Sequence, residues 1–171
     1  ADFADTAVAI GKFDGVHLGH RQLLHELVHA SEEGGVAAAV LTFDRHPDAI
    51  LRPGSEPGPL IGPNQKQRLL EQAGVDLLVT LPFDQALAAL SPEQFVMDYL
   101  VPLRARLVLV GQGFRFGHKG SGNINTLQEL GPRLGFVARE IPTVEFGSVR
   151  VSSTEIRSAL AAGDVTRASV M

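Results

Sequence analysis

Two histidines three residues apart, His17 and His20, follow a short apolar run and stand at the start of an amphipathic stretch. Imidazoles at that spacing project to the same side of a helix opening. Such an opening leaves backbone N–H groups without intrahelical partners and carries about half a positive charge. A phosphoryl group gaining negative charge suits that place. The pair lies within Gly11-Lys12-Phe13-Asp14-Gly15-Val16-His17-Leu18-Gly19-His20, where Gly11 and Gly15 permit a tight turn close to a ligand. A histidine alone at a helix start is more often a surface or capping residue. The His-x-x-His spacing also suits zinc, but no third ligand is evident nearby. His25 and His29 fall off the apolar face set by Leu24, Leu27 and Val28 and read as solvent-exposed.

A second group stands near the other end: Ser152-Ser153-Thr154-Glu155-Ile156-Arg157. Ser152-x-x-Glu155 has the form of a capping box. That form requires neither Arg157 nor three hydroxyl residues in a row. A helix opening with hydroxyl donors and an arginine one turn inside makes a second anion site, since arginine grips phosphate oxygens through paired hydrogen bonds. Two more segments follow apolar runs: Thr42-Phe43-Asp44-Arg45-His46-Pro47, and the glycine- and cation-rich 111–122. Asp44 is a candidate helix cap, or the group Thr42 to Pro47 lines the pocket. Phe43, Phe114 and Phe116 are candidates to lie against a flat aromatic ligand, although core packing is the commoner fate of phenylalanine. Neither a P-loop nor a Gly-x-Gly-x-x-Gly fingerprint after the first strand is present.

These segments need elements to hold them. Apolar runs at 6–10, 36–43, 77–81, 107–110 and 136–141 read as strands buried on both faces, as in a parallel sheet. Between them, 18–31 and 63–73 carry apolar residues at helical spacing, and Ser91, Pro92 and Glu93 open a helix towards Leu100. A last helix begins near Ser153 and is still running at Met171. The proline- and glycine-rich 52–63 reads as a long surface loop, either a lid or a variable segment. Strand and helix alternation predicts an α/β doubly wound domain with ligands beyond the carboxyl ends of the strands.

The bulk numbers agree. The 171 residues suffice for one domain with a sizeable core, and the net charge of -4 argues against a broad nucleic-acid surface. No cysteine is present, so disulfides and thiol chemistry are excluded. No run spans a bilayer and no signal peptide is seen, so a cytoplasmic protein is expected. Both ends read as fragment boundaries of a longer protein.

In order and spacing, the four blocks resemble the N-terminal module of prokaryotic bifunctional riboflavin kinase/FMN adenylyltransferase. They are Gly11 to His20, Thr42 to Pro47, Phe114-Arg115-Phe116-Gly117 and Ser152 to Arg157. The resemblance implies a Rossmann-like, doubly wound parallel sheet of the HxGH nucleotidyltransferase superfamily, filling residues 1–171. It implies an enzyme of FAD biosynthesis that uses Mg²⁺, ATP and FMN, with no residue set assigned to a metal. His17, His20 and Arg157 are then the catalytic group. Gly11, Phe13, Asp14, Gly15, Gly19, Gly111, Ser152, Ser153 and Thr154 belong to the nucleotide side. Phe43, His46, Pro47, Phe114, Arg115 and Phe116 belong to the flavin side. The riboflavin kinase domain of the family is missing here, and a covalently linked one is the expected partner, with no nucleic acid or membrane. Three positions depart from the family pattern: Gly113, where asparagine or aspartate is common, Lys12 for asparagine and Arg45 for proline. Another phosphorylated acceptor, or flavin and nucleotide binding without turnover, are the alternatives.

Overall fold

The computed structural model describes residues 4–171. The apolar runs fold as β1 (Thr6–Ile10), β2 (Ala37–Phe43), β3 (Leu77–Leu81), β4 (Ala105–Gly111) and β5 (Val137–Ile141). They form one sheet in the order β3-β2-β1-β4-β5, with every neighbouring pair parallel. The chain steps outward from β1 to β3, crosses back to β4 and continues to β5. The order therefore reverses between β1 and β4, which is where such sheets open a crevice.

Alternate residues of each strand point to opposite faces, so each central strand feeds two cores. Ala7, Ala9, Ala38, Val40 and Leu109 pack against Leu23, Leu24 and Leu27 of α1 (Leu18–Gly34) and Leu70 of α3 (Pro63–Gln72). On the other face, Val8, Ile10, Leu41, Val108 and Val110 meet Leu87, Phe95, Leu127 and Phe136. These come from α4 (Gln85–Ala89), α5 (Pro92–Phe95), α6 (Ile124–Leu134) and its exit. Burial on both faces holds for β1 and β2 and most of β4. The edge strands β3 and β5 are covered less, and Val137 is 58% exposed.

The elements start where the sequence signals put them and differ in how they end. Ser91 caps α5 by accepting from the Gln94 amide, but beyond Phe95 the helix widens into a π-turn over Val96–Leu100. A short α2 (Asp48–Leu51) follows Pro47. A two-residue hairpin pair, β6 (Glu145–Phe146) and β7 (Val149–Arg150), precedes α7 (Ser153–Ala161). The single helix expected from Ser153 to the last residue is corrected: Gly163, at φ +76°, stops α7. Asp164 then caps α8 (Val165–Val170) by accepting from the Arg167 amide. The turn returns the chain to α1, where the Met171 carbonyl accepts from the Leu18 amide at 2.7 Å. Among the described residues no helix is long and apolar enough to cross a membrane.

Candidate active site

The loop leaving β1 is bent by two non-glycine residues with left-handed backbone, Phe13 at φ 51° and Val16 at φ 43°. Such conformations are costly, above all for a β-branched residue, and persist where packing holds them. Both side chains are buried in the core under α1. Gly15 needs its lack of a side chain twice over: φ is +84°, and a Cβ would lie 2.9 Å from the Leu60 side chain. Asp14 is the hub of this loop. One carboxylate oxygen accepts from the Leu60 amide at 2.9 Å, the other pairs with Arg157, and its carbonyl accepts from Ser153 Oγ at 2.7 Å. Two blocks 139 residues apart in sequence are thereby joined.

His17 is the N-cap of α1, its Nδ1 accepting from the His20 amide at 3.3 Å. Its ring folds back over Gly19, where a Cβ would lie 3.0 Å from His17 Cε1. The His17 and His20 rings stack with centroids 3.7 Å apart, and Phe13 supports His20 from beneath at 5.0 Å. His20 Nδ1 is buried and has no hydrogen-bond partner among the described residues. Burial pushes His17 down to about 4 against the opposing pull of Asp14, and burial with the charges of His17 and Lys66 pushes His20 well below its usual value. At neutral pH both imidazoles are therefore uncharged hydrogen-bonding groups. Two first-turn amides of α1 are already used, by Met171 and by His17. The opening therefore presents its side chains more than its own backbone amides.

The second block is tied down differently. Arg157 donates through Nε and Nη2 to the Gly58 carbonyl at 3.0 and 2.9 Å and pairs with Asp14. The segment 52–63, expected as a surface loop, gives up Pro63 to the start of α3 and is otherwise strapped to the site from two sides. Ser152 accepts from the Glu155 amide as expected, but the Glu155 carboxylate turns to Arg167 at 3.1 Å, so only half of the capping box forms.

Both blocks face one cleft of about 800 Å³ beyond the carboxyl ends of β1 and β4. Gly11, Asp14, His17, Gly19, His20 and Gly111 line it, as do Ser152, Ser153, Thr154 and Arg157. So do Phe43, His46, Pro47, Phe114, Arg115 and Phe116. Phe13 and Gly15 do not reach the wall: Phe13 is core, holding Gly11 and His20 in place, and Gly15 is the turn that fits Leu60. Phe116 is mostly committed to Phe95, with ring centroids 5.5 Å apart, and stacks on the more open Phe114 at 5.7 Å. Cations on the wall include Lys12, Arg115, Lys119, Arg150 and Arg157, while its carboxylates Asp14 and Asp48 are each paired with an arginine. The cleft is locally positive in a chain of net charge -4. A second groove of about 510 Å³ between α1 and α3 contains none of these site residues.

Three residues escaped the sequence reading. Lys66 Nζ donates to the Lys12 and Phe43 carbonyls at 3.1 and 3.4 Å, bridging the loops after β1 and β2. Its signal was a cation in the first turn of α3, where the helix dipole disfavours one. Phe83 meets Phe43 edge-on at 5.4 Å and extends the aromatic wall. Its signal was Pro82-Phe83-Asp84 directly after a strand, the same position as the other cleft-lining loops. Thr143 reaches the cleft beside Gln112, with no sequence signal. Asp44 neither caps a helix nor lines the cleft: it accepts from the Phe83 amide at 2.9 Å and pairs with Arg45, which holds its carboxyl below the usual range. Among the described residues no cluster of three His, Asp or Glu could cage a metal ion.

Known proteins are similar to this chain in sequence and fold. The chain is 36% identical over 170 residues to the bifunctional riboflavin kinase/FMN adenylyltransferase of Bacillus subtilis (strain 168), covering 98% of this chain and 53% of that protein. It is 37% identical over 155 residues to the protein of the same description from Escherichia coli (strain K12), covering 90% and 50%. The chain thus spans about half the length of these curated relatives. A solved structure described as a macrolide-efflux protein from Streptococcus pneumoniae superposes with a TM-score of 0.86 at 27% identity, over 98% of this chain and 56% of that one. A pantoate-beta-alanine ligase from Francisella tularensis, at 14% identity and a TM-score of 0.57 over 94% and 69%, shares the fold alone. The family model described as FAD synthetase matches residues 1–155, and the chain belongs to that family.

Proposed function

We propose that this cleft transfers the adenylyl group of ATP to FMN, giving FAD and pyrophosphate. One observation carries the reading: a paired-histidine helix opening and an arginine-bearing one share a single cleft with a wall of phenylalanines. An FMN phosphate oxygen attacks the α-phosphorus in line. The bond to the bridging α–β oxygen breaks, and pyrophosphate leaves with that electron pair. The attacking phosphate is already ionised at neutral pH, so no strong base is needed. The site has to hold two anions together and stabilise charge in the transition state. His17 and His20 meet it as neutral rings, and Arg157 with Ser153 and Thr154 meets it from α7. Phe43, Phe83 and Phe114 face the flavin ring system.

Mg²⁺ fits this donor set as an ion carried by the nucleotide, since magnesium keeps waters and takes substrate phosphates with one or two carboxylates. Asp14, the carboxylate that joins both phosphate blocks, would hold the ion by exchanging its pairing with Arg157, and the ion would supply neutralisation of phosphate charge when bound. The same reading makes the protein cytoplasmic and residues 1–171 the adenylyl-transferring domain. In it, a covalently linked riboflavin kinase domain is the partner.

The test is pyrophosphate release from MgATP with FMN, with riboflavin and with neither. Release that requires FMN, with FAD as the co-product on chromatography, is the expected result. Release with another phosphorylated acceptor but not FMN overturns the flavin assignment.

A further inference from the structure

Lys12 and His46 meet on the cleft wall in a contact with too many donors. Lys12 Nζ lies 3.1 Å from His46 Nε2. The other ring nitrogen, Nδ1, accepts from the Asp48 amide at 3.1 Å, which leaves the proton of a neutral ring on Nε2. Two hydrogen-bond donors therefore face each other. An ionic partner does not resolve this: the Asp48 carboxylate is 3.7 Å from Nδ1 and is held by Arg52 at 3.0 Å. Asp14 is taken by Arg157. Among the described residues Lys12 forms no ion pair, although it lines the cleft between the phosphate-facing blocks and the aromatic wall.

The backbone around the pair is fixed. The Lys12 carbonyl accepts from both Thr42 Oγ1 and Lys66 Nζ at 3.1 Å, and Lys66 also reaches the Phe43 carbonyl, so the segments carrying Lys12 and His46 cannot easily part. An oxygen with lone pairs and negative charge, set between Nζ and Nε2, satisfies both donors at once. The only dianionic group expected between the adenylyl donor and a flavin ring is the acceptor's phosphate monoester.

We propose that Lys12 and His46 form a clamp for the phosphate monoester of the acceptor, so that Lys12 makes this site prefer a phosphorylated flavin over an unphosphorylated one. The inference rests on the adenylyl-transfer reading and specifies where its nucleophile is held. Burial, ahead of the opposing pull of Asp48 and Asp14, lowers the pKa of Lys12.

The experiment is equilibrium titration of FMN and of riboflavin, followed by flavin fluorescence, on wild type, Lys12→Met and Lys12→Arg, with ATP binding measured separately. Lys12→Met is expected to weaken FMN about 10- to 100-fold, the range of a lost hydrogen bond to a charged group. Riboflavin and ATP affinity should stay within about twofold, and Lys12→Arg should keep the preference for FMN. Equal weakening of FMN and riboflavin, loss of ATP affinity instead, or an unchanged preference each overturns the clamp. A wild type that makes FAD while Lys12→Met keeps its FMN preference sinks the clamp alone. A wild type that neither binds FMN nor turns it over sinks the adenylyl-transfer reading and the clamp together.

Discussion

At the opening of α1 the groups facing the cleft are uncharged, stacked and partly desolvated, and the helix's own amides are partly spent on Met171 and His17. At the opening of α7 the leading group is a permanent cation, already held by Asp14 and the Gly58 carbonyl. The first opening meets an anion with oriented donors that gain strength as water leaves. In the proposed reaction the second would exchange an existing partner for the ligand, which would release the contact to segment 52–63. The same helix-terminus geometry thus serves a fixed role in one place and an exchangeable role in the other.

The comparison breaks most visibly at His20. His20→Ala should lower turnover about 10²–10³-fold, the usual cost of one transition-state contact. Circular dichroism and the thermal midpoint should stay near wild type, because the buried Nδ1 loses no partner. Turnover like wild type would remove His20 from the chemistry. At the other opening, Arg157→Ala should raise KM for ATP about 10- to 100-fold with a smaller effect on kcat. Arg157→Lys should recover little, since an ammonium cannot reproduce the guanidinium fork. Full recovery by lysine would mean that the bridge from Asp14 to Gly58 is not used.

A third test separates the two ends by pH. The folded-state values of His17, about 4, and His20, lower than usual, lie beneath the ordinary 6.5, with burial the leading cause. Between those values the unfolded chain takes up protons that the folded chain refuses. The stability gained from these neutral rings is full above about pH 6.5 and is lost as pH falls towards 4. Thermal melts should therefore drop from pH 7.5 to pH 5, and His17→Asn should flatten that drop, whereas Arg157→Ala should leave its slope alone. The smallest effect is expected at the α7 cap. Ser152→Ala should cost about 1 kcal/mol of stability, read by urea unfolding, for the lost bond to the Glu155 amide.

The parallel sheet was legible because valine, leucine and alanine runs of strand length leave few alternatives, whereas the strand order and its reversal between β1 and β4 came only from the fold. β1 and β3 fell where the runs did, and the others shifted only at their ends. The four blocks were legible because each directly follows a strand or opens a helix. What stayed hidden depends on distant pairing. Phe13 has the composition of a ring-stacking residue, and only the left-handed bend of its backbone turns it into the core. Lys66 acts through two carbonyls on other loops, which local patterning does not encode. The strap from Arg157 to Gly58 joins residues 99 apart in sequence, so 52–63 reads as a lid or a variable loop until the fold closes.

The most direct test follows the label. With ATP carrying radioactive phosphorus at the α position, incubation with FMN and Mg²⁺ should put the label into FAD in one-to-one ratio with the pyrophosphate released. Pyrophosphate without labelled FAD, or label arriving only in AMP from a folded protein that binds both substrates, would contradict the account.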